Sequence, residues 1–231
     1  MSTSAPPPAS LSAQRTLRPW YLIVAMISSW LIGVRGLSDS FSTLLFLREN
    51  NVPDLRPLVR GINEATESAD AFGHFVDLMS AAHLRALGEA AQIAFPLSAG
   101  KLILSVLLII TSAMAMSGRP ASRVLAIQAH LAFAALATAS FWLLRDTRYA
   151  VFDVIGSVHH LLPKLFPPEP RWMLRLWSVM FTKTGLVWVS RASFAVFGVG
   201  ALLLGALALT TARTKAFFDA VAAATKDAED P

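Results

Sequence analysis

Two long apolar runs joined by a tight turn fix what this chain can fold into. Residues 95–117 and 121–144 are almost uninterrupted hydrophobic sequence, and Ser117-Gly118-Arg119-Pro120 links them. About 20 apolar residues, rising about 1.5 Å each as a helix, cross the roughly 30 Å of a bilayer core. In lipid, a helix satisfies every polar group of its own backbone within the segment. The pair therefore reads as a transmembrane hairpin, with its two free ends on one side of the membrane.

Two further runs flank the hairpin, at about 20–42 and 188–212. The first carries only about fifteen residues of apolar run before Arg35 and Asp39, a length that also suits a signal-peptide core. No small-x-small site of good quality follows, and Leu37, Phe41, Leu44 and Leu45 continue the helical spacing toward Leu47. An uncleaved first span is expected. The fold class is thus an all-α membrane protein: four transmembrane helices with two long, partly helical connections, 48–94 and 145–185, on one side. Residues 1–18, rich in Ser, Ala and Pro, read as a disordered tail, and 213–231 as a short polar tail. The domain between them covers 19–212.

Composition agrees. The chain is 55% hydrophobic and 15% charged, and its apolar residues fall in blocks, which excludes an ordinary soluble domain. The net charge of +5 is scattered along the runs' edges rather than interleaved with aromatics, so no nucleic-acid surface is expected. The absence of cysteine excludes thiol redox chemistry, disulfides and cysteine metal sites. Abundant alanine, with arginine outnumbering lysine, fits a GC-rich bacterial genome.

The basic residues beside short connections set the expected orientation. Arg15 and Arg18, Arg119 and Arg123, and Arg213 and Lys215 share one side, read as cytoplasmic. Both termini then lie inside an inner (plasma) membrane crossed four times.

Several polar groups interrupt the pattern. Arg35, Asp39, Lys101 and His130 form a candidate intramembrane polar site, since charge within a span is by default a functional hypothesis. Arg35 and Asp39, four apart near a membrane edge, also make a plain local ion pair, and Lys101 either snorkels or reaches Asp39. In the first connection, Ile62, Ala65, Ala69, Phe72, Val76, Met79, His83, Leu87 and Ala90 suggest one helix with an apolar stripe. Glu64, Glu67, Asp70, His74 and Asp77 form an acidic, partner-facing stripe opposite. In the second connection, Tyr149, Phe152, Ile155, Val158 and Leu162 precede a proline-rich break. Arg171, Arg175 and Lys183 then line a basic segment facing lipid or a partner. The first connection carries a balance of −3 and the second +3, and each has an apolar stripe, so the two are expected to pack together as one cap, held mostly by apolar burial, with ion pairs adding little beyond setting which faces meet.

Serines 98, 105 and 112, at strict sevens, and the small residues Gly198, Ala201, Gly205, Ala208 and Ala212 mark expected helix–helix contacts. Ala126, Ala129, Ala132, Ala135 and Ala139 do the same in the third span.

No metal or cofactor is expected. His159-His160 with Asp153 lacks single-face ligand spacing, and His130 has no intramembrane histidine to share a haem. Phosphate-loop, nucleophile-elbow and zinc-protease motifs are missing. The favoured function is non-enzymatic: a structural, assembly or interaction protein whose outer cap contacts another membrane protein, the bilayer being its other partner. A small transporter or channel subunit with a polar path near Arg35, Asp39 and Lys101 is the alternative, and a membrane-bound enzyme the third.

Overall fold

The computed structural model describes residues 18–49, 53–64, 68–119, 121–158, 176 and 178–229. The helices are α1 (Trp20–Glu49), α2 (Arg56–Glu64), α3 (Ser68–Glu89), α4 (Ala91–Met116), α5 (Ser122–Leu143) and α6 (Arg145–Ser157). They continue as α7 (Lys183–Ser193), a π-helical turn at Phe194–Gly200, α8 (Ala201–Thr210) and α9 (Ala212–Glu229). Among the described residues, four stretches are long and apolar enough to cross a membrane: α1, α4, α5 and the continuous Lys183–Thr210. The protein is an all-α membrane protein, as the apolar blocks require.

The spans pack through small residues. On α1 the buried positions are Leu22, Met26, Ser29, Gly33, Gly36 and Ser40, alternating by four and three along one seam. On α4 the buried Ser105, Leu108, Ser112 and Ala115 repeat that spacing. Seam against seam, the two antiparallel helices make the most extensive contact in the molecule. Lipid offers helices no hydrophobic reward for associating, so close van der Waals packing holds such pairs together. A Cβ on Gly36 would sit 2.5 Å from Ser105 Oγ and 3.2 Å from the Phe133 ring. The Ser105 and Ser112 hydroxyls are buried without a hydrogen-bond partner among the described residues, so their contribution here is small volume.

The expected serine stripe therefore faces α1 at 105 and 112, while Ser98 lies half-buried above it. The expected alanine and glycine stripes are only partly buried. Ala126, Ala129 and Gly205 face other helices, but Ala132 and Ala135 are exposed, and Leu202, Ala206 and Leu209 fill the fourth helix's inner face. The π turn explains part of that shift, because its wider winding offsets the helical phase between 194 and 200.

At one end of the bundle the tight turn closes as the sequence predicts. Gly118 takes φ 77°, the left-handed conformation that ends a helix, and its N–H bonds Ala115 O. Within the polar tail expected at 213–231, the residues as far as Glu229 belong to helix α9. Phe217 and Phe218 are buried with Leu22, Met26, Ala115 and Leu209, so an apolar pair outweighs the polar composition around it. Arg123 Nε donates to Leu209 O at 2.8 Å, capping a carbonyl that the helix end leaves unpaired. Tyr21 Oη and Thr211 Oγ1 lie 2.8 Å apart beside it.

At the other end the connections do pack together. Ile62 of α2, Ala71, Phe75, Leu78, Ala82 and Ala86 of α3, and Val151, Ile155 and Val158 from α6 onward share one apolar core. Phe181 and Leu186 close it, with Phe75 and Phe181 edge to face at 5.8 Å. The buried face of α3 differs from the stripe read in sequence. Phe72 and Val76 are exposed, and the neighbouring Ala71, Phe75 and Leu78 point inward. The expected single helix is two: α2 folds back on α3, bringing Gly61 against the His74 ring. A phase carried from Ile62 onward thus fails to apply. Apolar burial joins the two connections, and among the described residues no ion pair does.

The span limits also differ. α1 runs to Glu49 rather than to about 42, rising about 45 Å, so its last third stands beyond a roughly 30 Å core. The fourth span starts at Lys183, where Thr182 Oγ1 accepts from Gly185 N at 3.0 Å as an N-cap.

Candidate functional site

The four candidate polar residues of the spans fall into two places. The first is a cavity of about 500 Å³ where the outer parts of α1, α4 and α5 meet α3. Asp39, Ser42 and Thr43 come from α1, His83, Leu84 and Leu87 from α3, Leu97, Ser98 and Lys101 from α4, and Ser140 from α5. Asp39 Oδ2 lies 3.8 Å from Arg35 Nε and 3.8 Å from Lys101 Nζ, so one carboxylate serves two cations. Arg35 sits one turn below Asp39 on the same face of α1, which makes this geometry automatic for a helix. Lys101 arrives only because the α1–α4 seam sets the register between the two helices.

Both contacts are too long for hydrogen bonds. Among the described residues neither cation donates one, nor does the Asp39 carboxylate accept one. Thr43 Oγ1 bonds the Asp39 backbone oxygen at 2.8 Å and leaves the carboxylate to the cavity. His83 exposes ring surface into the cavity yet is crowded by its neighbours. That desolvation is the main cause holding its imidazole below the ordinary histidine value, with Asp39 pulling it up and Lys101 pushing it down.

The second place is the bundle's centre. His130 is fully buried, with Nδ1 2.6 Å from Ala126 O and Nε2 2.6 Å from Ser29 Oγ. Gly205 of α8 closes over the ring, where a Cβ would approach Nε2 to 2.7 Å. Of the four candidate intramembrane residues, the structure joins Arg35, Asp39 and Lys101, and it places His130 apart from them.

The remaining candidates lie on the cap. Asp70 and Asp77 are exposed on one face of α3 with His74 between them. Glu64 is exposed on α2, and Glu67 lies outside the described residues. Arg171, Arg175 and the His159-His160 pair also lie outside them. Lys183 belongs to the first turn of the fourth span and pairs with Asp153 of α6 at 2.5 Å. Among the described residues no three His, Asp or Glu side chains converge as metal ligands.

His83 is the residue the sequence reading misplaced. Its spacing places it in the apolar stripe, where a lone histidine is the signal that marks it out. Ser98, taken for a packing residue, also faces the cavity. Comparison with protein-family models, with curated proteins and with solved structures finds no match for this chain.

Proposed function

We propose that this is a non-enzymatic assembly or interaction protein whose four-span bundle anchors a docking cap. The observation that carries the reading is the double use of α3. One side is consumed by the cap's own core, while Val76 remains 43% exposed on another side, with Asp70 and Asp77 exposed nearby. An apolar contact beside fixed negative charge suits a basic, amphipathic segment of another membrane protein. The end bearing the tight turn and α9 is cytoplasmic in this reading, because Arg18, Arg119, Arg123, Arg213 and Lys215 gather there. The membrane is then the inner membrane of a bacterium, with the cap on its outer face.

The alternative, a conduction path beginning at Asp39 and Lys101, has less support. Below the cavity, Gly33 and Gly36 lie directly against α4, where added Cβ atoms would come within 3.1 Å of the Ser105 backbone oxygen and 2.5 Å of its Oγ. A photo-crosslinking residue in place of Val76, introduced in cells, tests the docking reading. The expected result is one adduct with a second membrane protein, lost when Asp70 and Asp77 are both changed to lysine. Lipid adducts alone, or a protein adduct indifferent to that charge reversal, would overturn it.

A further inference from the structure

The outer cavity has a marked imbalance of hydrogen-bonding groups. Lys101 lines it and Arg35 reaches the lining Asp39 from outside; together they bring eight N–H donors, and among the described residues their one charged acceptor is the shared Asp39 carboxylate, beyond bonding distance of both. Ser42, Ser98 and Ser140 add hydroxyls that make no hydrogen bond among the described residues. With two cations and one carboxylate, the cluster carries a surplus positive charge. Such a site is matched by an acceptor-rich anion.

Its depth and walls narrow the choice. Asp39 stands about 28 Å along α1 from Trp20, and Ser140 about 27 Å along α5 from Ser122, close to the full height of a bilayer core. Trp142, 59% exposed two residues beyond Ser140, marks the interface at the same level. The Arg35 side chain is 86% exposed, on the same face of α1 as the exposed Leu31, so its guanidinium stands at the lipid boundary. The cavity's other walls are Leu84, Leu87, Leu97 and Leu144. Donors at headgroup height beside leucines fit an anion that carries an apolar tail.

We infer that this cavity binds a phosphate-ester oxyanion, held by Lys101 and Arg35, with Asp39 a competing acceptor for the same two cations. The chemistry has two sources, the headgroup of an anionic phospholipid and free phosphate, and the site's depth favours the first. The inference is independent of the cap's docking partner: loss of the Val76 adduct would leave it standing, and the reverse holds too.

The test uses the full chain in nanodiscs of phosphatidylcholine, with and without phosphatidylglycerol, followed by thermal unfolding. A second arm compares sodium phosphate with sodium chloride at equal ionic strength in neutral detergent. The expected result is a rise in Tm with phosphatidylglycerol that is lost in Lys101→Gln and kept or enlarged in Asp39→Asn. A Lys101-dependent rise with phosphate in detergent would support the same site and name the free anion as its ligand. Arg35→Gln, which removes an exposed side chain, should weaken the rise and serves if Lys101→Gln fails to fold. No rise in either arm, or a rise that survives in both cation variants, would overturn the proposal. Loss of the rise in Asp39→Asn would overturn it too, since the carboxylate would then be the binding group.

Discussion

The His130 site and the Asp39–Lys101 cavity both put polar groups among membrane helices, and they are opposites. At His130 each ring nitrogen has a partner at 2.6 Å, and Gly205 seals the ring from above. At Asp39 the charged groups sit 3.8 Å apart around open volume. A satisfied, enclosed polar group is glue between helices, and an unsatisfied, open one is a place for something else to bind. Residue type does not separate the two cases; geometry does.

The largest expected effect lies at the closed site. Gly205→Leu would drive a side chain into the His130 ring and Ser29, and overpacking of this kind costs about 1–3 kcal/mol or more. Unfolding in mixed micelles should show it, and a near-neutral result would mean the His130 site has slack that its geometry denies. Ser29→Ala is the milder probe. It removes one interhelical hydrogen bond, worth about 0.6–2 kcal/mol between membrane helices, and should leave the cavity's anion response unchanged. If it altered that response, the two sites would be coupled and the contrast between them would fall.

The smallest effect is a pH dependence at the open site. Because His83 is held below the ordinary value of about 6.5, the unfolded chain takes up its proton first as pH falls. Its contribution is therefore fully present above about 6.5 and is lost as pH drops toward the folded-state value. The ring's partial exposure keeps the slope shallow. His83→Gln should flatten it in unfolding midpoints measured across the histidine range. An unchanged slope would assign the pH dependence to another group.

The four-span architecture was legible in the sequence because it is a one-dimensional property. Length and hydropathy decide whether a segment can cross lipid, and the 95–144 hairpin needs nothing from elsewhere in the chain. The Arg35–Asp39 pair was legible for the same reason, since four residues along a helix are neighbours whatever surrounds them. The cap's phase was not, because Ala71, Phe75 and Leu78 turn inward only once α2 reverses onto α3, and apolar neighbours at 72 and 76 made a second stripe equally good on paper. Nor was the ordering of α9, whose helix is anchored by Phe217 and Phe218 against residues nearly two hundred positions earlier. Above all, Lys101 meets Asp39 only because a glycine–serine seam lets α1 and α4 pack closely enough to set their register, and His83 lines the same cavity only through the placement of α3. Sequence spacing holds no such information, because helix-to-helix register depends on which small residues face each other in three dimensions.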